Sequence, residues 1–266
     1  MSAQEIFLKQ SIFTLDDLRA SLDKEHSRNQ RSREAFVSYH LKHGHLIRVR
    51  RGVFAVVPPG GEPETCSVDP YLVAAKSAAD AVLAYHTALD VQGKAHALFE
   101  RYFFLSGTPL RPTKFRNYRF QGVLCPKALR EKGQEHFATT IVDRAGTGVR
   151  VTTLERTLVD LLDRPDLGGG WEEIWRSLES VEYFDLDQVI EYVKLLDNRT
   201  TAAKTGYYLQ QHADALMVDP GHLDPLRKLR PSQPHYLERG KGGQFNRDWN
   251  LIIPKRLADR SWEQVT

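Results

Sequence analysis

The run Pro58-Pro-Gly-Gly-Glu-Pro-Glu-Thr-Cys-Ser-Val-Asp-Pro70 most restricts what this chain can fold into. It holds four prolines and two glycines. Proline brings no backbone donor and glycine resists ordering, so neither a helix nor a central strand passes through it. The expected layout is an N-terminal domain over residues 1–57, a Pro/Gly-rich linker over 58–69 and a larger domain over 70–266. With 266 residues, 41% of them hydrophobic, both parts can fill a core.

Charge is unevenly placed along this layout. Residues 1–60 carry ten basic and six acidic side chains, an excess of four, whereas the whole chain is only +3. The basic residues crowd between Lys24 and Arg51. Such clustering within a small folded unit is an electrostatic footprint for nucleic acid. A solvated basic face without a partner is the other reading. No stretch is long and apolar enough for a membrane helix, and no basic segment leads into an apolar run at Met1-Ser-Ala-Gln-Glu-Ile. Two cysteines, Cys66 and Cys125, cannot make a disulfide framework or a zinc knuckle. A reduced cytoplasmic protein is expected.

Within residues 1–57, a short helix is expected over 3–9, with Ile6 and Phe7 inward. Thr14, with Asp17 three positions on, starts a second helix whose Leu15, Leu18 and Leu22 form an apolar stripe. Polar Asp23–Gln30 connects to a third helix, capped by Ser32 and closed by Gly44, with Val37 and Leu41 facing the core. The opposite side carries Arg31, Ser32, Ala35, Tyr39 and Lys42, a mixture of small residues, donors and one ring that suits a major groove. An ordinary surface helix has the same pattern. His45–Val57 then reads as two β-branched runs separated by Arg51-Gly52, a hairpin. Three helices and a basic hairpin have the order of a winged helix-turn-helix. Alternation of side chains places Arg48 and Arg50 on one face of the first strand, with Arg51 at the tip. Such a wing lays guanidinium groups along phosphates or into a minor groove. A winged helix used only for protein contacts remains the alternative. His40, His43 and His45 are not expected to converge on a metal.

Residues 70–266 read as mixed α+β. Strands are expected at 81–85, 102–106, 117–121, 137–142 and 149–153, and helices at 70–79, 86–92, 153–162, 171–180, 186–196 and 201–216. Weak strand signals close the chain at 235–238 and 249–253. Little here suggests catalysis. Gly240-Lys-Gly-Gly243 lacks the spacing of a phosphate loop, and no Gly-x-Ser-x-Gly elbow occurs. Cys125 reads as a small core filler and Asp185-Leu-Asp187 as a helix cap. Pro165-Asp166 resembles part of a nuclease motif, but no strand with an acid–x–lysine follows. Arg156 and Asp160 have the spacing of a surface ion pair. No catalytic residue, metal site or cofactor is expected.

Two stretches make the chain resemble the AbiEi family of antitoxins, from bacterial abortive-infection (type IV) toxin–antitoxin systems. One is Gly44-x-Leu46-x-Arg48-x-x-Arg51-Gly52-Val53-Phe54; the other is Val151-Thr-Thr-Leu-Glu-Arg-Thr-Leu-Val-Asp160 with Pro165 and Gly169-Gly-Trp-Glu. Tyr85-His-Thr-Ala-Leu89 and Thr205-Gly-Tyr-Tyr-Leu209 add to it, so that the likeness threads nearly the whole chain. The long connection Asp23–Gln30 departs from a compact turn and leaves the orientation of the third helix open. The resemblance implies a winged helix that binds inverted repeats in double-stranded promoter DNA and represses its own operon. It also implies that the C-terminal domain counters a nucleotidyltransferase-like toxin, without a stable complex. On this reading Arg31, Ser32, Tyr39 and Lys42 face bases and phosphates, and Arg48, Arg50 and Arg51 clamp the backbone. The alternatives are a ligand-responsive winged-helix regulator, which needs an apolar pocket, and a DNA-targeted nuclease or nucleotidyltransferase, which needs a convergent acidic site.

Overall fold

The computed structural model describes Phe7, residues 10–22 and residues 30–259, except for the side chains at 21, 22 and 30–32. The fold is α+β. It comprises two compact units, residues 1–83, 100–124 and 141–150 forming the first and 84–99, 125–140 and 151–266 the second. The expected helix over 3–9 lies outside the described residues except for Phe7, which is helical; residues 23–29 of the expected connection lie outside them too. Among the described residues no helix is long and apolar enough to cross a membrane.

The first unit begins with a strand that the sequence does not announce, β1 (Ile12–Thr14), leading directly into α1 (Leu15–Leu22). Thr14 and Asp17 cap that helix reciprocally: the Thr14 amide donates to Asp17 Oδ2 at 2.8 Å and the Asp17 amide to Thr14 Oγ1 at 3.1 Å. α2 (Gln30–Lys42) follows, then the hairpin β2 (Leu46–Arg50) and β3 (Val53–Val56). β3 is central in the sheet order β1-β3-β2, with Phe13 opposite Phe54 and Ile47 opposite Ala55. Phe13, Leu18, Val37, Leu46 and Phe54 make one core, each such side chain contributing about 1.5–3 kcal/mol when fully buried. Leu15 corrects the expected stripe. It is 40% exposed, because Phe13 of the preceding strand joins Leu18 in that core and leaves Leu15 at the helix's open end.

Residues 57–69 form neither helix nor strand. They are nevertheless anchored, with Cys66 and Val68 buried and Arg116 donating to the Pro63 carbonyl at 2.8 Å. α3 (Pro70–Ala75) starts at Asp69, whose Oδ1 accepts from the Tyr71 amide at 2.9 Å and whose Oδ2 holds Arg144 Nε at 2.7 Å. A six-stranded sheet follows, built from β4 (Val82–Leu83), β5 (Arg101–Ser106), β6 (Thr113–Phe115), β7 (Tyr118–Leu124), β8 (Thr139–Arg144) and β9 (Thr147–Thr152). Its order is β6-β7-β5-β4-β9-β8, and β5 and β7 pair in parallel. β6 lies between the strands expected at 102–106 and 117–121, where the sequence analysis places none.

The second unit is mainly helical: α4 (His86–Val91), α5 (Lys127–Glu131), α6 (Leu154–Asp163), α7 (Trp171–Glu179), α8 (Leu186–Leu196), α9 (Arg199–Gln211), α10 (Pro220–Leu229) and α11 (Lys255–Ala258). The short strands β10 (His235–Tyr236), β11 (Gln244–Asn246) and β12 (Leu251–Ile253) form a sheet in the order β10-β12-β11. α9 stops at Gln211, short of the expected Leu216, where the His212 ring donates to the Tyr208 carbonyl at 2.8 Å. α10 is not anticipated by the sequence because Pro225 sits inside it; an Asp219–His222 capping box starts it. Gly206 on α9 lets Trp249 approach so closely that an added Cβ would lie 2.1 Å from the indole.

Candidate nucleic-acid interface

α2 and the β2–β3 hairpin carry the basic residues singled out by sequence. α2 begins at Gln30, so Ser32 lies inside the helix and does not cap it. The side chains of Arg31 and Ser32 lie outside the described residues. Val37 is buried, and on the far side Tyr39 and Lys42, three apart, are exposed on one face. Tyr39 keeps 54% of its surface exposed, enough for its ring to meet a partner.

The end of α2 determines what surrounds that face. Gly44, at φ 69°, closes the helix, with the His45 amide donating to the His40 carbonyl at 2.9 Å and the Gly44 amide to Leu41 at 3.3 Å. This is a Schellman closure, and it folds His45 back beside His40. The two Nδ1 atoms lie 3.0 Å apart, so one carries a proton and the other accepts it. Two of the three histidines singled out by sequence are thus brought together. The convergence stops at two, because His43 Nδ1 donates to the Tyr39 carbonyl at 2.8 Å. Among the described residues no three His, Cys, Asp or Glu side chains are placed to hold a metal. His40 also packs against Phe7 and Phe36, at ring distances of 4.9 and 4.3 Å. Burial, followed by the neighbouring His45 and His43, holds the His40 imidazole below its usual range.

The hairpin turns at Arg51-Gly52, with Gly52 at φ 80°, and Arg51 is exposed. A β-bulge then overturns the expected alternation. Arg48 pairs with Phe54 and Arg50 with Val53, so two steps on β2 oppose one on β3. Phe54 and Val53 point to opposite faces, and Arg48 and Arg50 therefore do as well. Arg48 is exposed, its guanidinium 5.9 Å from the Phe54 ring centre. Arg50 is half-buried and donates to the Ser77 carbonyl at 3.2 Å. Of the seven singled-out residues, Tyr39, Lys42, Arg48 and Arg51 are thus open to solvent, and Arg50 is tied back into its own unit.

In the second unit, Arg156 and Asp160 correct another expectation. Their ion pair, Nε to Oδ2 at 3.4 Å, is buried, with Arg156 at 0% and Asp160 at 2% exposure. α6 is packed all round, so the helical spacing that suits a surface pair here points inward. Arg156 also donates to the Glu135 and Phe137 carbonyls at 2.8 and 2.7 Å, and Tyr192 donates to Asp160 Oδ1 at 2.6 Å. Burial pushes the Asp160 carboxyl up to about 6, against the pull of the Arg156 guanidinium. Burial likewise raises the Cys125 thiol, partly offset by Arg156, so Cys125 is a buried neutral thiol. Asp185 caps α8, accepting from the Gln188 amide at 3.0 Å. Sequence reasoning missed Lys204, which is only 8% exposed on α9; its signal is a single cation within the otherwise uncharged run Thr200–Leu209.

No protein-family model matches the sequence, and no curated protein does. Among solved structures, the crystal structure of the RV2827C protein from Mycobacterium tuberculosis is similar, with a TM-score of 0.58 at 16% sequence identity. The similarity covers 96% of this chain and 90% of that one. At this identity it is a likeness of fold.

Proposed function

We propose that this chain is a type IV antitoxin of the AbiEi kind that represses its own operon. Residues 1–57 act as a winged helix-turn-helix, residues 58–69 as its connection to the rest, and residues 70–266 as the part that counters a nucleotidyltransferase-like toxin in the cytoplasm. One observation carries the reading: an exposed helix face with Tyr39 and Lys42 and an exposed hairpin with Arg48 and Arg51 stand on one shared core. A helix face of that kind reads base edges in a major groove. Arginines on a neighbouring hairpin hold phosphates or enter the minor groove. The residue assignment is Arg31, Ser32, Tyr39 and Lys42 from the helix and Arg48 and Arg51 from the hairpin, with Arg50 reinforcing the hairpin from behind.

Phosphate contacts release counterions, so binding weakens steeply with salt. The test is a gel shift of the full-length protein on DNA upstream of its own gene, across a salt series. Replacing Arg48, Arg50 and Arg51 together by alanine lowers affinity and flattens the salt dependence; shifts that stay unchanged sink the assignment. For antitoxicity, co-expression with a nucleotidyltransferase-like protein encoded beside the gene restores growth without a co-purifying complex. Continued growth arrest removes that half of the proposal.

A further inference from the structure

The second unit holds a cleft of about 730 Å³ lined by the first turn of α7, the first two turns of α9, residues 163–166 and the strap 234–239. Sites for small molecules span about 300–1,000 Å³, so the volume suits a ligand and exceeds a packing defect. Lys204 is the most buried charged side chain that lines the cleft. Its ammonium sits 5.4 Å from the Trp171 ring centre and donates to the Leu162 carbonyl at 3.1 Å. An ammonium has three donors; among the described residues no carboxylate lies within ion-pair distance of this one, and Asp163 acts on it from further off.

Three acids line the cleft, Asp163, Asp166 and Glu238, and Asp163 acts electrostatically on Lys204. Asp163 accepts from the Thr201 hydroxyl and from Asn198 Nδ2, and Glu238 is paired with Arg256. Arg164 stands 3.9 Å from the mostly exposed Asp166. Arg239, on the strap, is exposed. Tyr236 beside it leaves 46% of its surface open, a flat ring at the wall. His235 and Thr200 add a hydrogen-bonded polar pair, at 2.6 Å.

We propose that this cleft binds a small anion made of a flat ring and a phosphate or carboxylate group, with Lys204 and Arg239 holding the anionic group and Tyr236 stacking on the ring. A buried cation with no counter-ion in contact is costly, and an anion bound beside it offsets part of that cost. Burial lowers the proton affinity of Lys204, against the pull of Asp163, and a bound anion raises it. The proposal is independent of DNA binding, because every residue in it belongs to the second unit.

Isothermal titration of the full-length protein tests it, with adenosine 5′-monophosphate as the phosphate probe and indole-3-carboxylate as the carboxylate probe. Adenosine and inorganic phosphate serve as the separate parts. At least one ring-bearing anion binds saturably, and its separate parts bind roughly tenfold more weakly or worse. Lys204→Met and Arg239→Ala each weaken binding by roughly tenfold, the loss of one charge-assisted contact. Arg239 is exposed, so its variant folds and decides the matter even if Lys204→Met does not. The proposal is overturned if neither anion saturates below about 1 mM, or if the folded variants bind like the parent.

Discussion

Asp17, at the start of α1, and Lys76, just after α3, form an ion pair at 2.9 Å across 59 residues of sequence. Both side chains are about three-quarters covered, at 25% and 21% exposure. The pair, together with Arg50 on the Ser77 carbonyl, binds the basic N-terminal elements to the end of α3 within one unit. Burial alone would raise the Asp17 carboxyl; the Thr14 amide and the Lys76 ammonium outweigh it and hold the group below its usual range. Asp17→Asn therefore keeps an acceptor for the Thr14 amide but loses the ion pair, a loss of about 0.2–1 kcal/mol in urea unfolding. A carboxyl lowered by folding stabilises above its unfolded value and loses that effect as pH falls through the folded one. The gap between parent and Asp17→Asn thus closes below about pH 3.9. A gap that persists there contradicts the role.

Under the proposed DNA-binding role, the hairpin arginines should separate. Arg48→Ala and Arg51→Ala each reduce the salt slope of operator binding by about one contact, whereas Arg50→Ala leaves the slope nearly unchanged. Arg50→Ala instead lowers thermal stability modestly, because its guanidinium bonds Ser77. Equal slopes for all three variants would falsify the division made by the bulge.

The buried pair on α6 has a large, measurable cost. Arg156→Met strands Asp160 and two backbone carbonyls and destabilises by about 3–5 kcal/mol in denaturant titration. Because Asp160 is pushed up to about 6, its contribution is greatest below the unfolded value of about 3.9 and declines as pH rises to its folded value. In Asp160→Asn that decline disappears. An identical pH profile for the two proteins counts against the assignment.

His40 supplies a slope of the other sign. Its folded imidazole titrates below its ordinary range, so it stabilises above about pH 6.5 and loses this effect as pH falls. Among the groups around it are Phe7, Phe36, Tyr39, His43 and His45. His40→Phe keeps the ring packing and flattens the fall in melting temperature between about pH 7 and 5. A parent-like slope in this variant rejects the role.

Gly206→Ala places a methyl 2.1 Å from Trp249, a fully buried side chain. Overpacking of this kind costs about 1–3 kcal/mol or more, read as a lower melting temperature. An unshifted melt shows that the indole can withdraw.

Residue order alone makes much of this fold legible. The Thr14–Asp17 cap, the glycine stop at Gly44, the Arg51-Gly52 turn and the helix Leu186–Leu196 all follow from contacts within a few residues. Capping, turn chemistry and apolar spacing are local, so they can be read without knowing the partner element. The exposed Tyr39, Lys42, Arg48 and Arg51 were readable for the same reason.

Tertiary structure decided what depends on distant atoms. The strand Ile12–Thr14 exists because β3 offers it an edge, and three residues carry too little pattern of their own. The bulge between Arg48 and Arg50 turned Arg50 away from Arg48, since alternation holds only while pairing stays regular. Arg156 and Asp160 became a buried pair because segment 135–137 and Tyr192 close over α6. Lys204 acquired a cleft only when the strap 234–239 came to lie across from α9. Sequence thus determined local conformation and the sign of the surface charge, whereas burial, and with it the energy of every polar group, belongs to neighbours brought in from far along the chain.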